Sequence, residues 1–211
     1  MMAAEPDVNN ARSTRFIRTE PGAVTREDRM QSLGMRGATV WFTGLSGAGK
    51  STFAIDLERR LIEQRIAAYR VDGDNLRAGL CSDLGFSPED RARNVARAGE
   101  ACTMLADAGI VVLASLVSPF RVDRDRVRAL HASRGIPFFE AHVAVSLEVA
   151  EQRDTKGLYR RARAGEIADF TGIHQPYEEP LAPELLLESA DSTIAQCVEQ
   201  VLAHLRSAAR S

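Results

Sequence analysis

The stretch Thr39-Val40-Trp41-Phe42-Thr43-Gly44-Leu45-Ser46-Gly47-Ala48-Gly49-Lys50-Ser51-Thr52 restricts the fold more than any other part of the sequence. It opens on apolar and β-branched residues that read as a buried strand, passes through a glycine-rich turn and enters a helical run at Ser51. Gly44 to Ser51 fits G-x-x-x-x-G-K-[ST], the phosphate-binding loop pattern, in the strand–loop–helix setting that the pattern requires. The chemistry explains the residue types. Glycine has no Cβ, so successive N–H groups can curl around phosphate oxygens. The helix that follows adds partial positive charge at its N-terminus. Lys50 can reach β- and γ-phosphates, and Ser51 can offer its hydroxyl to magnesium. A glycine-rich turn can match by accident. With each glycine position filled at about 7%, such an accident in a chain of this length is on the order of one in a hundred. The residues from Gly44 through Thr52 are therefore nucleotide-binding candidates.

A chain of 211 residues is expected to form one compact α/β domain, or one domain with tails. The net charge of −2 supplies no global field for nucleic acid or a membrane surface, so any basic site must be local. Cys81, Cys102 and Cys197 are far apart and odd in number, which fits neither a zinc site nor a disulfide framework and suits a reducing cytoplasm. No apolar run reaches the length of a membrane span. Glu5 and Asp7, with no apolar segment near them, argue against a secretory signal.

Residues 1–35 lack periodicity and read as a tail, with a short helix over Thr25 to Leu33; a lid or dimer arm is the other reading. The domain is expected over 36–208. Strands are expected at 38–43, 67–71, 110–117, 138–145 and 185–187, and helices at about 51–64, 87–107, 123–133, from 147, and at 193–205. Alternating strands and helices imply a parallel five-stranded sheet with right-handed crossovers.

The strand ends carry the polar residues. Asp72-Gly73-Asp74-Asn75 closes the second strand, with Arg77 behind it. Acids there lie on the face where doubly wound sheets bind ligands, although Asp-Gly and Asp-Asn also form turns and caps. Both readings stand. Arg91, Asn94 and Arg97 share one helix face, either a solvated face or an anion site. Arg153, Lys156, Arg160, Arg161 and Arg163 crowd one segment against Asp154. That density is either a solvated helix face or a basic lid, at about 153–172, that closes over phosphates. An Asn-Lys-x-Asp segment and an acidic end to the third strand are both missing, which disfavours a GTPase switch and an ATPase motor. From the residues alone the chain reads as a small phosphotransferase.

The same blocks resemble the adenylylsulfate kinase family, which phosphorylates the 3′-hydroxyl of adenosine 5′-phosphosulfate. The likeness is carried by the phosphate-binding loop; Asp72 to Asn75 with Arg77; Leu84-Gly85-Phe86-Ser87 into Asp90-Arg91; Ser118-Pro119-Phe120-Arg121; Lys156-Gly157-Leu158-Tyr159; Phe170-Thr171-Gly172-Ile173; and Pro176-Tyr177-Glu178. They stand in the family's order from about Arg36 to Leu205. The resemblance implies ATP and magnesium as cofactors, adenylylsulfate as substrate, and a homodimer. It implies Asp74 as the base for the 3′-hydroxyl, Lys50 and Lys156 as catalytic cations, and Ser51 and Asp72 on the metal. Arg153 would join the loop on ATP. Arg77, Arg91 and Asn94 would grip the phosphosulfate and ribose, with Thr171 beside them, and Phe86 and Phe170 would sandwich the adenine. Ser118 matches a serine that the family describes as a phosphoserine intermediate. In-line transfer needs only positioning and charge stabilisation, so Ser118 reads instead as a residue lining the substrate. The chain departs from the family pattern at Ala144, Ser146 and Thr155, and at His174-Gln175, where at least one acid is expected. A kinase for another nucleoside or small metabolite is the alternative reading.

Overall fold

The computed structural model describes residues 22–208. In chain order its elements are α1 (Arg26–Leu33), β1 (Ala38–Thr43), α2 (Lys50–Glu63), β2 (Ala68–Asp72), α3 (Gly73–Arg77), α4 (Pro88–Asp107), β3 (Val111–Ser115), α5 (Arg121–Ser133), β4 (Phe138–Ala144), α6 (Leu147–Arg153), α7 (Leu158–Arg163), β5 (Leu185–Glu188) and α8 (Ile194–Ala208). The five strands pair in parallel in the order β2-β3-β1-β4-β5. β1 is central and buried along its whole length, as its apolar sequence requires.

Alternation along β1 divides the core into two layers. Val40 and Phe42 face α2 and α8, where they meet Leu57, Leu61, Val198 and Val201. Trp41 faces the other way, into a layer with Val95, Ala98 and Cys102 of α4, Val127 of α5, and Phe138. Parallel register then sets the carboxyl ends side by side. Asp72 of β2 pairs with Ser115 of β3, which pairs with Phe42 of β1, and Thr43 pairs with His142 of β4. The phosphate-binding loop, the acidic turn and the loop after β3 consequently open onto one edge of the sheet.

The third strand stops at Ser115, short of the expected 117, because the chain leaves the ladder for a turn in which Ser118 takes φ +39. The acidic turn after β2 is a short helix, α3, capped by Asp72. Within the expected tail, α1 is docked on the domain. Thr25 and Asp28 close a capping box at its start, and Arg26 and Arg29 reach Asp107 at the end of α4 at 2.7 and 3.2 Å. The rest of that expectation, residues 1–21, lies outside the described residues.

Candidate active site

The phosphate-binding loop is shaped by close backbone approaches. Gly44 lies at φ +146, and a Cβ there would sit 2.5 Å from the Val143 carbonyl; Gly47 lies at φ +76, with the Ala150 carbonyl 2.8 Å from the same imagined atom. No larger residue fits either position. Lys50, 8% exposed, folds over the loop and donates to the carbonyls of Gly44 and Leu45 at 3.0 and 2.7 Å. Burial pushes its pKa down to about 8, against the opposing pull of Asp72.

A polar chain runs from this loop to Lys156 of the basic segment. Ser51 Oγ donates to Asp72 Oδ2 at 2.7 Å, and Asp72 Oδ1 accepts the Asp74 N–H at 3.0 Å. Asp74 Oδ2 accepts from Lys156 Nζ. Asp72 is thus the cap of α3, as its turn-and-cap reading expects, and its other oxygen accepts from Ser51. The hydrogen bond to Asp74 raises the Lys156 pKa. Among the described residues there is no cluster of three or more acids, histidines or cysteines. Magnesium does not need one. It keeps waters and takes phosphate oxygens, so the Ser51 hydroxyl and one carboxylate are a sufficient protein share.

Two aromatic residues and two arginines form the next layer. Phe86 is exposed, with the Arg77 guanidinium 4.3 Å from its ring centroid. Arg77 also donates to the Leu84 and Gly85 carbonyls at 3.2 and 2.7 Å. Arg91 joins Phe86 to the segment at Asp169, because its Nε reaches the Phe86 carbonyl at 3.0 Å and its Nη2 the Asp169 carbonyl at 2.9 Å. Burial, then the nearby Arg77 charge, lower its pKa, against the opposing pull of Asp169. Phe170 is 8% exposed and meets Tyr159 edge to face at 5.0 Å. One turn along α4 from Arg91, Asn94 is 5% exposed and its Nδ2 has no partner; Thr171, 3% exposed, has an unpartnered Oγ1. Buried polar atoms without partners are uncommon. These two belong to residues assigned to the substrate from the sequence.

Other expectations change. Ser118 is 3% exposed, and its hydroxyl accepts from Trp41 Nε1 at 3.1 Å and donates to Thr43 Oγ1 at 2.9 Å. Both directions of that hydroxyl are engaged internally, so it does not line the open site as expected. Arg97, on the same face as Arg91, is paired with Asp83 at 2.5 Å. In the basic segment, Arg161 and Arg163 pair with Glu166 and Glu151 at the surface, as a solvated face would. Lys156 turns to Asp74, while Arg153 reaches the loop only through the Ala48 carbonyl at 3.4 Å and otherwise holds Ser189.

Sequence reasoning missed several supports. Tyr159 donates from its hydroxyl to the Ser46 carbonyl at 2.9 Å, tying α7 to the loop. Its place in the Lys-Gly-Leu-Tyr block was the available signal. Arg124 and Tyr177 gather the loop after β3. Arg124 donates to the Ser118 and Glu178 carbonyls at 2.7 and 2.6 Å, and the Tyr177 hydroxyl lies 3.0 Å from Thr43 Oγ1.

With this geometry in view, the family model described as adenylylsulphate kinase matches residues 36–188. An adenylyl-sulfate kinase of Acaryochloris marina is 48% identical over 183 residues, covering 87% of this chain and 88% of its own. One from Shewanella amazonensis is 52% identical over 184 residues, covering 85% and 92%. The structure of the Mycobacterium tuberculosis APS kinase CysC in complex with AMPPNP and APS superimposes with a TM-score of 0.79 at 50% identity, covering 82% of this chain and 99% of that one.

Proposed function

Because this chain belongs to the adenylylsulfate kinase family, ATP-dependent enzymes that phosphorylate the 3′-hydroxyl of adenosine 5′-phosphosulfate, we propose a division of that reaction among its own residues. The observation that carries the proposal is the polar chain Ser51–Asp72–Asp74–Lys156, which links the phosphate-binding loop to the lid.

The loop from Gly44 to Thr52 holds the triphosphate on its N–H groups, and Lys50 leaves its two carbonyls for the outer phosphates. Ser51 and Asp72 would hold magnesium, which would supply charge neutralisation at the phosphates. Asp74 takes the proton from the acceptor hydroxyl; a positioned base of this kind contributes about 10²–10⁴-fold. Lys156, already on Asp74, brings positive charge to the place where phosphoryl charge gathers. Arg77 and Arg91 set a positive, partly buried wall for the phosphosulfate, and the unpartnered Asn94 Nδ2 and Thr171 Oγ1 bond the substrate's polar groups. Phe86 and Phe170 supply flat faces for adenine. Ser118 acts through its backbone and its internal hydrogen bonds, and direct in-line transfer needs no covalent serine. Arg153 steadies the loop from behind.

We also propose a cytoplasmic homodimer. This rests on the family resemblance and, for the compartment, on Cys81, Cys102 and Cys197 being free thiols, which suits a reducing compartment. Sedimentation tests the dimer. The reaction is tested by mass spectrometry of products formed with ATP, magnesium and adenylylsulfate, beside adenosine and AMP. A 3′-phosphorylated product with adenylylsulfate alone is expected. Faster turnover of another acceptor, or ATP binding with no product, overturns the reading.

A further inference from the structure

We propose that His174 is a positioning residue for the substrate's adenine, because its imidazole holds the peptide unit that carries Phe170. The inference rests on the reading of Phe170 as one wall of the adenine site.

The Asp169–Phe170 peptide is gripped at both ends. Its carbonyl accepts from Arg91 Nη2 at 2.9 Å, and its N–H donates to His174 Nδ1 at 3.2 Å. Asp169 lies at φ +56, a region that residues with a Cβ seldom occupy. A peptide set in that way needs outside groups to hold it. The Phe170 carbonyl is fixed independently, since it accepts from the N–H groups of Ile173, His174 and Gln175 at 3.2, 2.9 and 3.2 Å. The Phe170 N–H sits on a residue only 8% exposed, where leaving it without an acceptor carries a penalty. Within the turn, the His174 side chain is that acceptor.

The ring direction follows from the peptide. Phe170 packs edge-on to Tyr159, whose hydroxyl holds the Ser46 carbonyl of the phosphate-binding loop. Arg91, His174 and Tyr159 thus orient one ring from three sides. His174 itself is exposed, and its hydrogen bonds run to Phe170. It has no bond to Asp74, Lys156 or the phosphate-binding loop. The departure noted in the sequence also acquires a physical sense. A carboxylate at this position can accept the same N–H, and a neutral imidazole protonated on Nε2 does so through Nδ1. In a pair where at least one acid is expected, His174 keeps an acceptor for this N–H.

The test compares wild type, His174→Ala, His174→Asp and Phe170→Leu in steady-state kinetics, with adenylylsulfate and ATP varied separately. His174→Ala is expected to raise KM for adenylylsulfate about tenfold, with KM for ATP and kcat within about twofold, because only an orienting contact is lost. His174→Asp is expected to restore KM to within about threefold. Phe170→Leu is expected to raise the same KM. If Phe170→Leu raises it and His174→Ala does not, the role of His174 falls while the adenine wall stands. If Phe170→Leu leaves it unchanged, the wall and the proposal fall together. Equal losses in kcat and both KM values that aspartate does not reverse, or an alanine variant that no longer folds, also overturn the proposal, since they show a general structural role.

Discussion

Arg124→Met is the perturbation whose cost can be worked most directly from the structure. Arg124 is 1% exposed and makes three bonds: to Glu140 Oε1 at 2.6 Å, to the Ser118 carbonyl at 2.7 Å and to the Glu178 carbonyl at 2.6 Å. Methionine keeps an apolar stem of similar length and removes all three. Glu140, 6% exposed, then retains Arg128 at 3.2 Å. Breaking a buried ion pair from one side costs about 3–5 kcal/mol, because the remaining charge is left without compensation. Each carbonyl that loses its donor adds about 1 kcal/mol. Arg128 and the methionine packing offset part of this, so the expected loss is about 4 kcal/mol, a large share of a total of about 5–15 kcal/mol.

Urea unfolding followed by circular dichroism at pH 7 reads that loss. The double variant Arg124→Met with Glu140→Met is expected to recover at least about half of it, because no unpaired buried charge remains. A loss below about 1 kcal/mol in the single variant, or a double variant no more stable than the single, refutes the account of Arg124 as the hub of the loop after β3. Folded Arg124→Met should also turn over more slowly, because the Ser118 and Glu178 carbonyls lose their common anchor.

Three other outcomes follow from the site and the core. Asp74→Asn should lower kcat by about 10²–10⁴-fold while calorimetry shows little change in ATP affinity; a comparable loss of ATP affinity counts against Asp74 as the base. Lys50, held near a pKa of about 8 by burial, should make ATP binding take up protons above that pH, because the triphosphate favours the ammonium. Calorimetry in buffers of different ionisation heat should show this uptake at about pH 8.5 and not at about pH 6.5, and equal uptake at both sinks it. By the same linkage, Lys50 disfavours the fold below about pH 8, and this penalty is relieved as pH rises from there toward its ordinary value of 10.5. His131 is fully buried between Thr39 and Val127, and burial lowers its pKa below the ordinary 6.5. Its contribution is complete above 6.5 and is lost as pH falls through the lower folded value. His131→Gln should therefore flatten the loss of stability in acid, measured by urea titrations between about pH 4 and 7.

The sheet was readable because its signals are local. β1, β3 and the helix after Ser87 declare themselves through apolar runs, a serine cap and a proline at the first helical position. The phosphate-binding loop was readable for the same reason, since its glycines, lysine and serine are consecutive. The two acids after β2 were legible as a place but not as a division of roles. Only the fold shows that Asp72 turns back to Ser51 while Asp74 turns outward to a lysine 82 residues away. The short helix α3 was hidden because its residues favour turns as much as helix.

Arg91 and Arg97 show what spacing alone cannot decide. They lie on one face of α4, and from the sequence they have equal claim to an anion. Arg97 meets Asp83 across the loop before the helix and is neutralised there. Arg91 meets two carbonyls, which orient a guanidinium without cancelling its charge. The difference lies in which backbone segments fold over each side chain: the turn around Leu80 and Asp83 in one case, the segment at Asp169 in the other. Those segments are brought to α4 by long-range packing, which helical periodicity does not encode. A cation oriented by carbonyls keeps its field available for a ligand, whereas one paired to a carboxylate does not. In this chain the arginine that lies against Phe86 is the one held by carbonyls and not by a carboxylate.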